Sequence, residues 1–296
     1  MDSKIIDGTD LSAQIKAEVK NHVKRLKSKM ARPPGLSVVL VGDDPASAVY
    51  VRNKQRAAKE AGMIGNTIAM PHSSTEDEII QVVNELNIDA SCDGILVQLP
   101  LPDHINEATV TSSIDPLKDV DGLHPNNAGL LAAGTPRFVP ATPGGIVQML
   151  LRTGNNPSGK RVVILGRSNI VGRPIANLLS MKGEGGDATV TICHSRTKNI
   201  GDLCRSAEIL IAAIGIPGFV TSDMVSDGVV AIDVGINRVE ATDRKRGYKL
   251  VGDIDFPGVS KRASAITPVP GGVGPMTVSY THLRAHETDS SILTRS

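Results

Sequence analysis

Apolar residues at Leu11, Ile15, Val19, Val23 and Leu26 recur at helical spacing and predict an amphipathic helix, with Thr9 and Asp10 as its caps. Pro33-Pro34-Gly35 ends that element, and the continuous apolar run 36–42 predicts a buried strand. Asp44 followed by Pro45 reads as a helix start, and Gly62 as its stop. A weak strand follows at 64–70. Thr75 with Glu78 resembles a capping box opening the next helix. GILVQL (94–99) is a second buried strand, closed by Pro100 and Pro102. Residues 115–145 carry little periodicity and are rich in Asp, Gly and Pro, so the domain crossover is placed there, with a helix at 142–154 leading out of it. Beyond it, aliphatic strands are predicted at 161–165, 188–192, 208–214 and 229–234, with a helix over 171–181. Unbroken aliphatic strands separated by helices imply a parallel sheet covered on both faces.

Composition narrows the class. The 296 residues suffice for two domains, and 40% apolar with 21% charged residues fits a globular chain. The formal net charge of +1 gives no general drive toward nucleic acid or membrane. Aromatics make up 2% with no Trp, which argues against base-stacking platforms. Cys92, Cys193 and Cys204 form no C-x-x-C pair, so buried thiols in a reducing compartment are expected and no metal site. The opening MDSKIIDGTD lacks a secretory pattern, and no apolar run reaches the ~18 residues of a membrane span. A cytoplasmic protein is the expectation.

The stretch 161–180, RVVILGRSNIVGRPIANLLS, reads as strand, tight turn and helix, with Gly166 ending the strand and Gly172 opening the helix. Ser168 stands where a dinucleotide fingerprint has its second glycine, but the helix start would still offer free N–H groups to a pyrophosphate. Folds that bind NAD usually carry an acid after the second strand, to bond the ribose hydroxyl. Here that end reads Cys193-His194-Ser195-Arg196-Thr197, so Arg196, Ser195 and Arg167 are candidates for the extra phosphate of NADP. The plainer reading makes Arg196 and Lys198 a solvated surface pair. Residues 154–160 mimic the start of a P-loop, but Arg161 follows Lys160 and the stretch precedes a strand, so it is read as a surface turn.

In the first half, Tyr50 and Lys54 stand four residues apart and share one helix face. Such a pair passes a proton if the lysine is partly neutral, which burial or nearby cations favour. Spacing alone leaves a solvated lysine as the alternative. Gln98, at the carboxyl end of a buried strand, is placed to face a cleft, or else steadies a turn. Asp121 in KDVDGLHP otherwise reads as an Asp-Gly turn.

Together the segments VGDDPASAVYVRNK (41–54), GILVQLPLP (94–102), DPLKDVDGLHP (115–125), GRSNIVGRP (166–174), IDVGIN (232–237), GDIDF (252–256) and ITPVPGGVGPMT (266–277) resemble the bifunctional methylenetetrahydrofolate dehydrogenase/methenyltetrahydrofolate cyclohydrolase family. The resemblance implies an α/β fold of two domains: an N-terminal catalytic domain (1–140) and a C-terminal Rossmann-type domain (141–270), with the active site in the cleft between them. It also implies a folate-site loop (271–278) returning to the first domain. Lys54 would be the main catalytic group, with Tyr50, Gln98 and Asp121. Ser47, Leu99, Pro270, Gly271, Gly272, Val273 and Gly274 would contact the folate, and Asp121 would accept from its pterin ring. Gly166, Arg167, Ser168, Ile170, Ser195, Arg196 and Ile236 would line NADP. A homodimer in one-carbon metabolism and purine biosynthesis is the implied setting.

The family usually continues past GPMTV as an apolar helix. Here 279–296, SYTHLRAHETDSSILTRS, shows no apolar stripe and reads as a foreign tail. Two other readings stay open at this point: a related dehydrogenase of another small substrate, and a folate- and NADP-binding chain impaired by that tail.

Overall fold

The computed structural model describes residues 3–27, 32–242, 244 and 247–279. The tail therefore lies outside the described residues, apart from Ser279. The chain forms two compact units.

One unit holds Ser12–Ala141 with Val278 and Ser279. Its three strands, β2 (Gly35–Val41), β3 (Ile64–Met70) and β4 (Gly94–Val97), form a parallel sheet in the order β3-β2-β4. β2 and β4 are almost wholly buried, as their aliphatic runs require, whereas β3 is an edge strand with mostly exposed residues. Helix α2 (Pro45–Ala61) is capped by the Asp44 carboxylate, which accepts from Ser47 N, and ends on left-handed Gly62. Helix α3 (Glu76–Ile88) has its capping box in place, with Thr75 Oγ1 accepting from Glu78 N and Glu78 Oε2 from Thr75 N. The chain beyond β4 is helical in two places, the second of them inside the connection 115–145, expected to be irregular. It contains helix α4 (Glu107–Ser112), started by Asn106, and helix α5 (Pro125–Ala132), started by His124.

The other unit holds the residues up to Leu11 and Thr142–Thr277. This corrects the expected division at two places. Residues 4–5 form β1 (Lys4–Ile5), which pairs with β11 (Ala265–Ile266), so the opening of the chain joins the second half. Of the segment 271–278, expected to return to the first domain, residues 271–277 stay here and Val278 belongs to the first-half unit: Thr277 Oγ1 lies 2.9 Å from Thr142 Oγ1, and Met276 packs against Gly145 of α6 (Ala141–Arg152). Helix α1 (Gly8–Lys27) takes in its expected caps, Thr9 and Asp10, and begins one residue before them, because Asp7 Oδ1 accepts from Thr9 N and Asp10 N.

The second-half sheet has six parallel strands in the order β1-β11-β8-β7-β5-β6. Here β5 is Arg161–Leu165, β6 Thr189–Cys193, β7 Ile209–Ala212 and β8 Val230–Asp233. β7 and β8 are buried throughout, while β6, at the edge, is mostly exposed despite its apolar run. A hairpin of β9 (Asn237–Glu240) and β10 (Tyr248–Val251) follows β8. Strand order reverses at β5, which has β6 on one side and β7 on the other. The carboxyl ends of β5 and β7 thus flank a topological switch point, where α/β sheets bind ligands.

Candidate active site

In the first-half unit, α2 carries Lys54 to the carboxyl end of β4. Lys54 is 5% exposed, and its Nζ donates to Gln98 Oε1 at 3.4 Å. Gln98 is held in turn: its backbone N–H extends the β2 ladder to Val39 O, and its Nε2 donates to Leu99 O at 2.7 Å. Burial pushes the Lys54 amine below the usual lysine value, and the nearby Asp121 carboxylate opposes this in part. The spacing argument left a solvated lysine open; the fold removes that option. Tyr50, one turn earlier on α2, is half-buried, and burial raises its phenol. Ser47, in the first turn, is buried.

Asp121 sits on a turn built by a neighbour. The buried Asp119 carboxylate accepts from Leu123 N at 3.2 Å, His124 N at 2.8 Å and Asn127 Nδ2 at 2.8 Å. Burial raises Asp119, against the pull of these bonds. Its supporting role went unseen in the sequence, since nothing in KDVDG tells a turn-building Asp from an exposed one.

A lysine lowered by burial binds fewer protons folded than unfolded, over the range between its folded value and the ordinary 10.5. Stability from this residue therefore rises with pH across that range. Any reaction needing the neutral amine should also gain rate with pH there. A pH–rate profile of the parent should show this limb, and one of Lys54→Arg should lack it.

In the second-half unit, β5 ends on Gly166, with φ +112°. A Cβ there would lie 2.2 Å from Ala213 O, and one on Gly172 would lie 2.3 Å from Gly166 O. The turn therefore admits only glycine at both places, and α7 (Gly172–Ser180) starts tight against it. The expectation of free N–H groups here is partly corrected. Ser168 Oγ accepts from Val171 N at 3.2 Å and Gly172 N at 3.3 Å. Arg167, Ser168 and Ile170 are exposed around the turn. The neighbouring turn after β6 is tied to it, with Gly166 N donating to Cys193 O. That turn is closed by His194 N donating to Thr197 Oγ1 and Arg196 N to His194 Nδ1, and it leaves Ser195 and Arg196 exposed. Ile236, 46% exposed, follows β8.

Pro270 and Gly271 form a turn, but Val273 and Gly274 open a helical stretch at 273–279, so the loop expected over 271–278 ends at Gly272. Gly272 is packed under Gly8, where a Cβ would meet Gly272 O at 1.7 Å. A cavity of about 780 Å³ opens at the opposite, amino-terminal edge of the same sheet, beside Lys160, Arg161 and Glu208. Its size does not locate the chemistry, because Lys160 and Arg161 are both bound to Glu208.

A parallel sheet with a glycine turn at its switch point, carried in one chain with a unit that buries a lysine beside an amide, defines a two-unit α/β protein of the dinucleotide-binding type. Residues 6–121 match the catalytic domain of tetrahydrofolate dehydrogenase/cyclohydrolase, and residues 140–287 match the NAD(P)-binding domain of the same family. The second match runs eight residues beyond Ser279, into the stretch set apart as a tail. The "Bifunctional protein FolD" of Chlorobium chlorochromatii is 51% identical over 277 residues, covering 93% of this chain and 94% of the relative. The bifunctional FolD structure from Campylobacter jejuni matches with TM-score 0.91 and 44% identity, covering 98% of this chain and 99% of that one. The Trypanosoma brucei dehydrogenase-cyclohydrolase, solved with NADP cofactor and inhibitor, matches with TM-score 0.93 and 38% identity over 99% of each chain. The chain belongs to the tetrahydrofolate dehydrogenase/cyclohydrolase family.

Proposed function

We propose that the chain oxidises methylenetetrahydrofolate to methenyltetrahydrofolate with NADP and then hydrolyses the product to formyltetrahydrofolate. The observation that carries this is the buried Lys54 amine on Gln98, inside the segment that matches the family's catalytic domain. A lysine kept out of water at a strand end is a poor structural choice and a good proton carrier.

The residues present fit a dinucleotide. Gly166 and Gly172 let the backbone close without side chains, and no carboxylate follows β6 to repel a phosphate. Gly166, Arg167, Ser168 and Ile170 would hold the pyrophosphate side, Ser195 and Arg196 the extra phosphate, and Ile236 the apolar edge. NADP, when bound, supplies the hydride acceptor for the methylene carbon.

Lys54 takes a proton from the water that attacks the methenyl carbon, and the ring then opens to the formyl group. Gln98 Oε1 fixes the Lys54 amine, and Tyr50 lies one turn away on the same face. Asp121 accepts from the pterin ring and keeps Lys54 from losing its proton outright. Ser47, Leu99, Pro270, Gly271, Gly272, Val273 and Gly274 complete the folate contacts. The product is a formyl donor of the kind purine biosynthesis consumes.

No helix among the described residues is long and apolar enough to cross a membrane, and a cytoplasmic enzyme that binds neither membrane nor nucleic acid is the reading that the formal net charge of +1 favours. The exposed edge of β3, with Ile64 47% exposed, supports a homodimer formed by strand addition.

The test is an absorbance assay with methylenetetrahydrofolate, run separately with NADP and NAD. The methenyl band should form and then decay, with a kcat/KM for NADP at least about tenfold above that for NAD, the worth of one charge-assisted phosphate contact. No turnover with either cofactor would sink the reading, and equal turnover would sink the Arg196 assignment.

A further inference from the structure

Two buried carboxylates in the second-half unit have no part in the reaction as described. Asp233 is the last residue of β8 and Asp253 stands just after β10; they are 3% and 0% exposed. Asp253 Oδ2 accepts from Ile214 N at 2.7 Å and Gly215 N at 2.9 Å, which fixes the loop after β7. Its Oδ1 accepts from Asn237 Nδ2 at 2.9 Å. Asp233 Oδ1 accepts from Gly235 N and Asp253 N, and its Oδ2 from Ile254 N. Glycine seals the junction: a Cβ on Gly252 would lie 1.8 Å from Asp233 Oδ2, and one on Gly235 would lie 2.1 Å from Asp253 Oδ1.

What hangs on this junction is the cofactor rim. Ile236 lies between Gly235, bound to Asp233, and Asn237, bound to Asp253. Ala213, whose carbonyl is the floor under Gly166, immediately precedes the loop that Asp253 holds. One acceptor-only group thus spaces the glycine turn on one side and Ile236 on the other. Burying a carboxylate is costly unless its oxygens are filled, and here five N–H donors and one amide fill the four oxygens.

We infer that Asp253, supported by Asp233, is a positioning residue for the dehydrogenase step, setting the distance between the Gly166 turn and Ile236 and so the fit of NADP. The inference rests on the placement of NADP proposed above. An amide at this position keeps an oxygen for one set of donors but turns an NH2 on the other. Asn237 is the one partner that substitution can invert.

The experiment measures NADP affinity by calorimetry and both activities on the full chain. Asp253→Asn should weaken NADP about tenfold and raise its KM in step, while methenyltetrahydrofolate hydrolysis, which uses no NADP, stays within twofold. Adding Asn237→Asp should return NADP affinity to within about threefold of the parent, because the introduced amide then has an acceptor. Should Asp253→Asn fail to fold, Asn237→Ala, at a half-buried position, should by itself weaken NADP about threefold. NADP affinity within twofold of the parent in every folded variant overturns the inference. So does an equal fall in both activities without recovery in the double variant, which marks a purely structural role. A parent that binds no NADP overturns the underlying reading instead.

Discussion

Lys54→Met should lower the hydrolysis of methenyltetrahydrofolate by about 10³-fold, the middle of the range for a lost acid–base group, and leave the melting temperature equal or raised. The two halves of this expectation have one cause. Lys54 is 5% exposed, and burial disfavours its charged form. Met fills a similar volume with no charge to desolvate. The bond to Gln98 Oε1 is lost, at about 1 kcal/mol for a half-buried acceptor that water can reach. A site residue whose removal does not destabilise is one kept for its chemistry. Steady-state hydrolysis and a thermal melt on the same preparation check both parts. Hydrolysis at the parental rate would remove Lys54 from the mechanism.

Gly172→Ala should lower NADP-dependent oxidation by about 10²-fold, the order expected when a positioning element shifts by 1 Å. The added Cβ would lie 2.3 Å from Gly166 O, 2.6 Å from Gly166 C and 2.8 Å from Arg167 Cα. All three are backbone atoms, so no side chain can swing aside. Opening the contact to ordinary van der Waals distance moves the turn by about 1 Å, and Gly166 cannot follow because Ala213 O lies beneath it. Hydrolysis should stay within about threefold, since Lys54 and Gln98 belong to the other unit. Paired assays with NADP titration decide it: unchanged NADP affinity would mean that the turn does not cradle the cofactor.

Much of this architecture was legible because local chemistry announces itself. Thr75 with Glu78, and Gly62 after an alanine-rich helix, mark their helix ends by residue type alone. The missed elements are those set by distant partners. β1 and β11 have two residues each and exist only because they pair. Helix α5 hid behind an unusual cap, His124 Nδ1 accepting from Asn126 N. At the site, spacing put Tyr50 and Lys54 on one face but could not report burial, which comes from packing. The roles of Asp119, Asp233 and Asp253 are hidden in the sequence for a related reason. A carboxylate facing inward to gather backbone amides looks, in a string of letters, like any surface acid.

The pairing of Lys4 with Ala265 joins positions 261 apart in the chain. During synthesis β1 is made long before β11 exists, so the sheet of the second half cannot be finished until nearly the whole chain is out. The entropy of closing so long a loop grows only with the logarithm of its length, so the delay costs order more than stability. It also couples the fates of the two halves. A gene cut between Ala141 and Thr142 would strand β1 on the wrong fragment and leave β11 as an open edge, inviting chain-to-chain association. A circular permutation that joins residues 4–11 directly to the second half would shorten that wait, and would be the natural starting point for making either half fold alone.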